Sequence, residues 1–330
     1  MEKIRLADAH IDTLTKFRNN PFDTPLSLDE ITEQSYLDNK FANWNLSEFQ
    51  NMGGVLQYFA IFTPPELTGN EAVAFAVRAI GDFIKFKPYN VNLLLNKSDF
   101  DINKINILLS IEGASPLVND DSFLYAYHQL GIRAIGITWN HRNFLADGID
   151  EPFGLTKYGR EIIHKMEKLG VIVDVSHLNN QGFRDVCEIA NKPFIASHSN
   201  AKSILNHPRN LEDWQIKEII ERGGFIGLNF YSEFISGSNK YGSNKYGSNK
   251  LSLIDELNFF RKHIEHFLNL GAIDVLGFGG DFDGITRSPF RNVRDYEVIY
   301  NLLIEMKLNE TEIQKLFADN LINYTLKMLN

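Results

Sequence analysis

Three histidines and three carboxylates stand where short apolar runs of this sequence give out. They are His10 and Asp12 in ADAHIDT, Glu112 in LLSIEGA, His177 in VIVDVSH, His198 in FIASHS and Asp281 in LGFGGDFDG. Imidazole nitrogens and carboxylate oxygens together form a borderline-hard donor set suited to Zn²⁺. Such donors, repeated at the ends of successive strands, converge where those ends share one mouth, and in a (β/α)8 barrel that mouth carries the chemistry. The pattern points to a hydrolase that uses two metal ions.

Each donor reads differently by itself. His10 and Asp12 are two residues apart, and in a strand such residues point the same way, so both can grip one ion. Alone, HxD is a weak signal. Glu112 ends the third run; its two oxygens can bridge two cations, although a lone strand-end glutamate is ordinarily a helix cap or a solvated charge. His177 and His198 end consecutive runs, and each follows a serine. Neighbouring parallel strands lie about 4.8 Å apart, so the two rings can share one metal. In GFGGDFDG the glycines let the chain turn sharply and approach a ligand. Either Asp281 or Asp283 can enter the mouth as a general base while the other caps the turn. Among the remaining histidines, His128, His164, His263 and His266 fall on helical patterns and His207 precedes Pro208, whereas His141 follows the fourth run within reach of the site.

The elements that must position these groups alternate along the chain. Apolar runs lie at 4–10, 54–62, 105–113, 133–140, 170–177, 193–199, 224–231 and 274–283. Several lack clean alternation, as expected of parallel strands covered on both faces. Amphipathic segments such as 159–170, 212–224 and 253–271 separate them and end in glycine, which suits a helix C-terminus. Eight such repetitions predict an α/β fold, a TIM-type (β/α)8 barrel as a single domain over 1–330, with extra C-terminal helices from about 294. An open doubly wound sheet is the rival. Residues 237–250, GSNKYGSNKYGSNK, cannot build a core and are expected to form a solvated loop insertion, with a lid over the mouth as the functional alternative.

Composition narrows the class. The chain has 330 residues, 44% apolar, with a net charge of −9, which disfavours a nucleic-acid partner. Cys187 is the only cysteine, so no intrachain disulfide is available. The N-terminus runs straight into a strand without a signal-peptide apolar region, and no stretch reaches the roughly 18 apolar residues of a membrane span. A cytoplasmic protein without a membrane partner is expected.

Taken in order, DAHID (8–12), EG (112–113), LGVIVDVSH (169–177), IASHSNA (195–201), HPRN (207–210), LNFY (228–231), GFGGDFDG (277–284) and ADNL (318–321) resemble the zinc-dependent renal (membrane) dipeptidases, barrel metallopeptidases of the amidohydrolase type. The similarity runs nearly end to end and is densest from about 159 to 284. It implies two Zn²⁺ per chain, one held by His10 and Asp12, the other by His177 and His198, with Glu112 bridging. It implies further that Asp281 handles the attacking water and that Arg209 pairs with the substrate's terminal carboxylate, a group the guanidinium fork suits. The implied activity is hydrolysis of dipeptides, including those with a C-terminal D-residue. Hydrolysis of a cyclic amide, a lactam or an ester is the alternative, and a non-catalytic metal- or ligand-binding barrel the remoter one. The expected partners are small dipeptides, with a homodimer left open. One departure concerns the substrate: where the family often has a histidine near the scissile carbonyl this chain has Trp139, and His141 two residues later is the candidate for that contact. The secretion, disulfides and lipid anchor of the animal members are not expected here, and the YGSNK repeat is not a family feature.

Overall fold

The computed structural model describes residues 4–15, 37–38, 42–238, 243–244 and 247–329. Its strands are β1 (Leu6–Ile11), β2 (Gly54–Phe62), β3 (Val91–Leu93), β4 (Ile105–Glu112), β5 (Ile132–Gly136), β6 (Ile172–Asp174), β7 (Ile195–Ala196), β8 (Phe225–Leu228), β9 (Ser243–Asn244), β10 (Gly247–Lys250) and β11 (Leu276–Phe278). Eight of them run parallel in the order β1-β2-β4-β5-β6-β7-β8-β11. Beyond β11 the chain returns to β1: Ile11 pairs with Phe282 in parallel, the Asp12 amide donates to the Phe282 carbonyl at 2.9 Å, and the Asp281 amide donates to the His10 carbonyl at 2.9 Å. The sheet is therefore a nearly closed barrel of the TIM type, and each of the eight expected runs supplies one strand.

The sequence pattern missed β3, which is three residues long and interrupted by Asn92. Its seat is explained by strand length. The eight residues of β4 outrun β5, which pairs with Leu109–Ile111, so the first residues of β4, Ile105–Ile107, are left for β3.

The helices are α1 (Leu46–Asn51), α2 (Asn70–Phe86), α3 (Ser122–Gln129), α4 (Lys157–Leu169), α5 (Asn180–Ile189), α6 (Asp213–Arg222), α7 (Ser232–Ile235), α8 (Leu253–Asn269), α9 (Tyr296–Glu305), α10 (Glu310–Gln314) and α11 (Asn320–Met328), with a π turn at Lys315–Asp319 between the last two. Local chemistry sets their ends. Thr156, Asn179 and Ser252 cap α4, α5 and α8 by accepting from an amide three residues on, and Gly170 and Gly223 close α4 and α6 in the left-handed conformation.

The barrel interior is divided along its length. Ala7, Leu56, Tyr58, Leu108, Ala134, Ile172, Ile195 and Phe225, from seven strands, form one apolar cluster with Leu321, Tyr324 and Met328 of α11. The C-terminal helix plugs this end, and the Tyr58 hydroxyl meets Thr325 Oγ1 at 2.7 Å. Two residues further along the same strands, the inward positions become Ser110, Asp174, Ser197 and Gly227. The plugged end is thus dry, and the opposite end carries the polar groups.

The repeat at 237–250 is not wholly loop. Ser243–Asn244 and Gly247–Lys250 pair as an antiparallel ribbon, while residues 239–242 and 245–246 lie outside the described residues. Backbone pairing needs no apolar side chain, so a Gly/Ser/Asn repeat forms a ribbon without a core.

If α11 is part of the barrel core, Leu321→Ala should lower unfolding free energy by about 2–5 kcal/mol, the usual cost of truncating a buried leucine. Chemical denaturation measures this, and a loss below about 1 kcal/mol would show the plug to be peripheral.

Candidate active site

The polar end of the barrel begins with an irregularity. Pairing between β1 and β2 slips between Asp8 and Ile11. Ala7 and Ala9 pack in the interior cluster, whereas the Asp8 carboxylate accepts from the Tyr296 hydroxyl, Gln57 Nε2 and the amides of His10 and Gly280. Asp8 thus ties β1 to β2, to the segment after β11 and to α9. The slip delivers His10 to the mouth. Across it lie Glu112 at the last residue of β4, His177 and His198 just beyond β6 and β7, and Asp281 just beyond β11.

These groups converge around Glu112. Its Oε1 lies 3.0 Å from His177 Nε2 and 3.7 Å from His198 Nε2, while its Oε2 lies 3.5 Å from His10 Nε2. His10 Nε2 is also 3.5 Å from Asp12 Oδ2 and 4.0 Å from Asp281 Oδ1. Among the described residues three donor sets result, Glu112/His177/His198, His10/Asp12/Glu112 and His10/Asp174/His198, each compact enough to hold one ion; the first two share Glu112. His10, Glu112, His177, His198 and Asp281 are all buried.

Hydrogen-bond partners assign the protons. His177 Nδ1 lies 2.8 Å from Asn140 Oδ1, an acceptor, so it carries the hydrogen and leaves Nε2 bare. His198 Nδ1 lies 2.7 Å from Ser197 Oγ, and that hydroxyl also contacts Asp174 Oδ2. The bare Nε2 atoms of His177 and His198 then face each other at 2.9 Å. Two lone pairs at that distance repel unless a cation takes both. His10 Nε2 and Asp12 Oδ1 are likewise buried without a hydrogen-bond partner. The donor types, the convergence and these unpartnered atoms fit a metal.

Electrostatics agree. Burial and the nearby Arg209 push His177 down to about 3, and burial with His10 pushes His198 well below the usual imidazole range, so both rings are neutral donors. Burial raises Asp281 well above the carboxylate range, and burial with Glu112 pushes Asp12 up to about 6. Burial acts on Glu112 in the same sense, but His10 and His177 outweigh it and hold that carboxyl well below its usual range.

Strained backbone marks the same place. His177, Asp281 and Asp283 have φ of 71°, 59° and 70°, the left-handed region that non-glycine residues rarely adopt. Gly284 is required by close approach, since a Cβ there would lie 2.1 Å from Asp12 Oδ2 and 2.5 Å from Asp281 Oδ1. The two acids of GFGGDFDG take different places. Asp281 faces the cluster, with Oδ2 accepting from Asn229 Nδ2 at 2.9 Å. Asp283 accepts from Thr13 Oγ1 at 2.6 Å and from the Asn43 amide at 2.7 Å, fastening loops.

Arg209 is buried beside the cluster. Its Nη2 is 3.5 Å from the His198 carbonyl, its guanidinium lies over Phe234 at 5.4 Å, and its Nε has no partner. Burial lowers it to about 10, so it stays charged near neutrality. Trp139 stands beside His177, ring centres 6.1 Å apart, and packs on Phe62 at 5.0 Å. His141 is exposed and meets Trp139 edge-on at 5.6 Å. Sequence reasoning passed over Asp174, Asn140 and Asn229. The first lies inside the VDVSH motif, but nothing in the pattern separates a buried acid that orients a histidine from one that caps a strand.

A parallel barrel whose mouth gathers paired imidazole–carboxylate sets defines a class of metal-binding hydrolase scaffolds. Within that class, the membrane dipeptidases (peptidase family M19) match residues 1–327, and the chain belongs to this family. An uncharacterized dipeptidase of Schizosaccharomyces pombe is 32% identical over 233 residues, 68% of this chain and 54% of its own length. An uncharacterized protein of Klebsiella pneumoniae, from the pqqA 5′ region, is 33% identical over 184 residues, 53% of this chain and 64% of its own. The chain therefore matches about half of the first relative's length and under two thirds of the second's. Among solved structures, a Rhodobacter sphaeroides metallopeptidase liganded with a phosphinate mimic of L-Ala-D-Ala superposes with a TM-score of 0.84 at 22% identity, covering 99% of both chains. The probable dipeptidase PvdM of Pseudomonas aeruginosa gives 0.80 at 19%, covering 99% of this chain and 96% of its own. These likenesses establish the barrel. No described helix is long and apolar enough to cross a membrane.

The crowding at Gly284 yields a direct test. Gly284→Ala must displace Asp12 and Asp281 together, so metal affinity should fall by about 10-fold or more, the scale seen when groups supporting metal ligands are lost. Elemental analysis after gel filtration reads the retained metal, and full retention would show that the two carboxylates are not fixed by this turn.

Proposed function

We propose that the protein is a dipeptidase that binds two Zn²⁺ per chain. His10 and Asp12 hold one ion, His177 and His198 the other, and Glu112 bridges them. The observation that carries this reading is the division of the Glu112 oxygens, Oε1 toward one histidine pair and Oε2 toward His10. Bound zinc supplies Lewis acidity and lowers the pKa of water toward neutrality.

The chain's own residues do the rest. Arg209 is a buried cation whose Nε has no hydrogen-bond partner among the described residues, and a free peptide carboxylate would satisfy its guanidinium fork. Such an anchor next to the donor cluster favours a substrate with little chain between its terminal carboxylate and its scissile bond, hence a dipeptide. Asp281, fixed through Oδ2 by Asn229, keeps Oδ1 on the cluster and takes the proton of the attacking water, then returns it to the leaving amine. The Trp139 and Phe62 rings wall the mouth, and His141 approaches the substrate from the exposed rim. A cytoplasmic location belongs to this reading and is supported by the lone cysteine.

The decisive experiment counts metals and assays a panel of dipeptides, including C-terminal D-residues, alongside cyclic amides. Two zincs per chain and dipeptide turnover are expected, and Glu112→Gln should reduce the count to one or none. A preference for the cyclic amides would replace the dipeptidase reading, and a Glu112→Gln protein with two tight zincs would remove the bridge.

Asp281→Asn keeps shape without accepting a proton, so kcat should fall by about 10²–10⁴ with zinc retained. Zinc loss in step with activity would make Asp281 a ligand instead. Arg209→Ala should raise KM for dipeptides strongly and matter far less for amidated analogues. Equal losses on both would assign Arg209 to structure.

A further inference from the structure

One buried hydroxyl touches both donor sets that share Glu112. Ser197 Oγ lies 2.5 Å from Asp174 Oδ2, 2.7 Å from His198 Nδ1 and 3.4 Å from His10 Nδ1. Asp174, Ser197, His198 and His10 are exposed by only 8%, 2%, 1% and 2%. Asp174 is itself fixed, its Oδ1 accepting from the amides of Ser176 at 2.9 Å and Ser197 at 3.0 Å. The Ser176 hydroxyl is farther from Ser197 Oγ, at 3.4 Å, and already accepts from the His198 amide.

A serine hydroxyl has one hydrogen and two lone pairs. A carboxylate oxygen accepts, so that hydrogen points at Asp174. The remaining lone pairs face His198 Nδ1 closely and His10 Nδ1 more distantly, and a lone pair can face a ring nitrogen favourably only where that nitrogen bears a hydrogen. Both rings therefore carry a hydrogen on Nδ1, which leaves Nε2 as the atom each turns to the cluster.

We infer that Asp174 is a positioning residue: it sets the hydrogen-bond direction of Ser197, and through it the tautomer of His198 and the Nδ1 hydrogen bond of His10. The inference rests on reading the cluster as a metal centre. It reaches beyond ligand assignment because Asp174, which could complete a donor set with His10 and His198, has its Oδ1 taken by two backbone amides and its Oδ2 by Ser197, and because a single hydroxyl couples the two sets that share Glu112.

The polarity makes an unusual pattern of variants. In Asp174→Asn the amide oxygen can keep both backbone bonds, but the amide nitrogen now donates to Ser197 Oγ. The Ser197 hydrogen then turns to the nearer ring nitrogen, His198 Nδ1 at 2.7 Å against 3.4 Å for His10 Nδ1, which drives the ring's own hydrogen onto Nε2, where it blocks the donor atom. Ser197→Ala removes the hydroxyl and leaves the tautomer unbiased. Asp174→Asn should therefore weaken zinc binding by about 10–100-fold, the range for outer partners of metal ligands. Ser197→Ala should cost several-fold less than that, and the double variant should recover to the Ser197→Ala level. Competition between metal-free protein and a chromophoric zinc chelator measures these affinities. Imidazole ¹⁵N spectra of the metal-free proteins report the tautomer directly: hydrogen on Nδ1 of His198 in the wild type, on Nε2 in Asp174→Asn. Additive losses in the double variant, or a wild-type His198 with hydrogen on Nε2, would overturn the inference. The wild-type spectrum decides even if a variant fails to fold. Neither readout involves peptide hydrolysis, so a wild type with the expected tautomer that binds zinc but cleaves no dipeptide would refute the functional reading alone.

Discussion

Everything at the mouth of this barrel depends on keeping the buried Glu112 carboxylate charged. A buried carboxylate ordinarily takes a proton, because desolvation penalises its charged form. Here burial is outweighed by His10 and His177, and the carboxyl stays well below its usual range. His10 acts on the neighbouring acids as well, but burial and the like charge of Glu112 outweigh it, so Asp12 and Asp281 are driven upward. An arrangement of three crowded carboxylates and facing imidazole nitrogens is costly by itself and becomes favourable with cations in its midst.

The scaffold supplies rigidity to hold it. Apolar residues from seven strands and α11 fill the plugged end of the barrel, so the strands cannot shift to relieve repulsion at the other end. Glycine lets strands crowd: a Cβ on Gly227 or Gly279 would lie within 2.0 Å of the Ser197 carbonyl oxygen. Strain is concentrated at His177 and Asp281, whose positive φ values each cost on the order of 1–3 kcal/mol and survive because the surrounding bonds over-determine them. Asn140 holds the first by its ring and Asn229 the second by its carboxylate.

The outer groups matter as much as the donors. Asp8 ties β1 to α9 and to the segment after β11, and its contacts flank the register slip that presents His10. Asp174 and Ser197 join the two histidine sets through one hydroxyl. Both acids lie within the quoted motifs, which are dense in chemistry because donors and the groups that orient them share the same strand ends.

How much of this was legible beforehand follows from the range of each interaction. Apolar runs and glycine-terminated amphipathic segments are local, so eight strands, the helices between them and the barrel they imply could be read from the sequence. The convergence of His10, Asp12, Glu112, His177, His198 and Asp281 was legible too, since each sits at a strand end, and strand ends of a parallel barrel must converge. The short β3 was not, because three residues carry no period; its place is set by the excess length of β4 over β5. Residue pattern alone left Asp281 and Asp283 open and only the family resemblance named Asp281, because their places turn on partners at Asn229, Thr13 and Asn43, far away in the chain. Chain order and residue type determined which groups could bind a metal. Only the closed barrel decided which carboxylate oxygen faces which histidine and where each imidazole keeps its hydrogen, because those depend on contacts between strands that the sequence holds far apart.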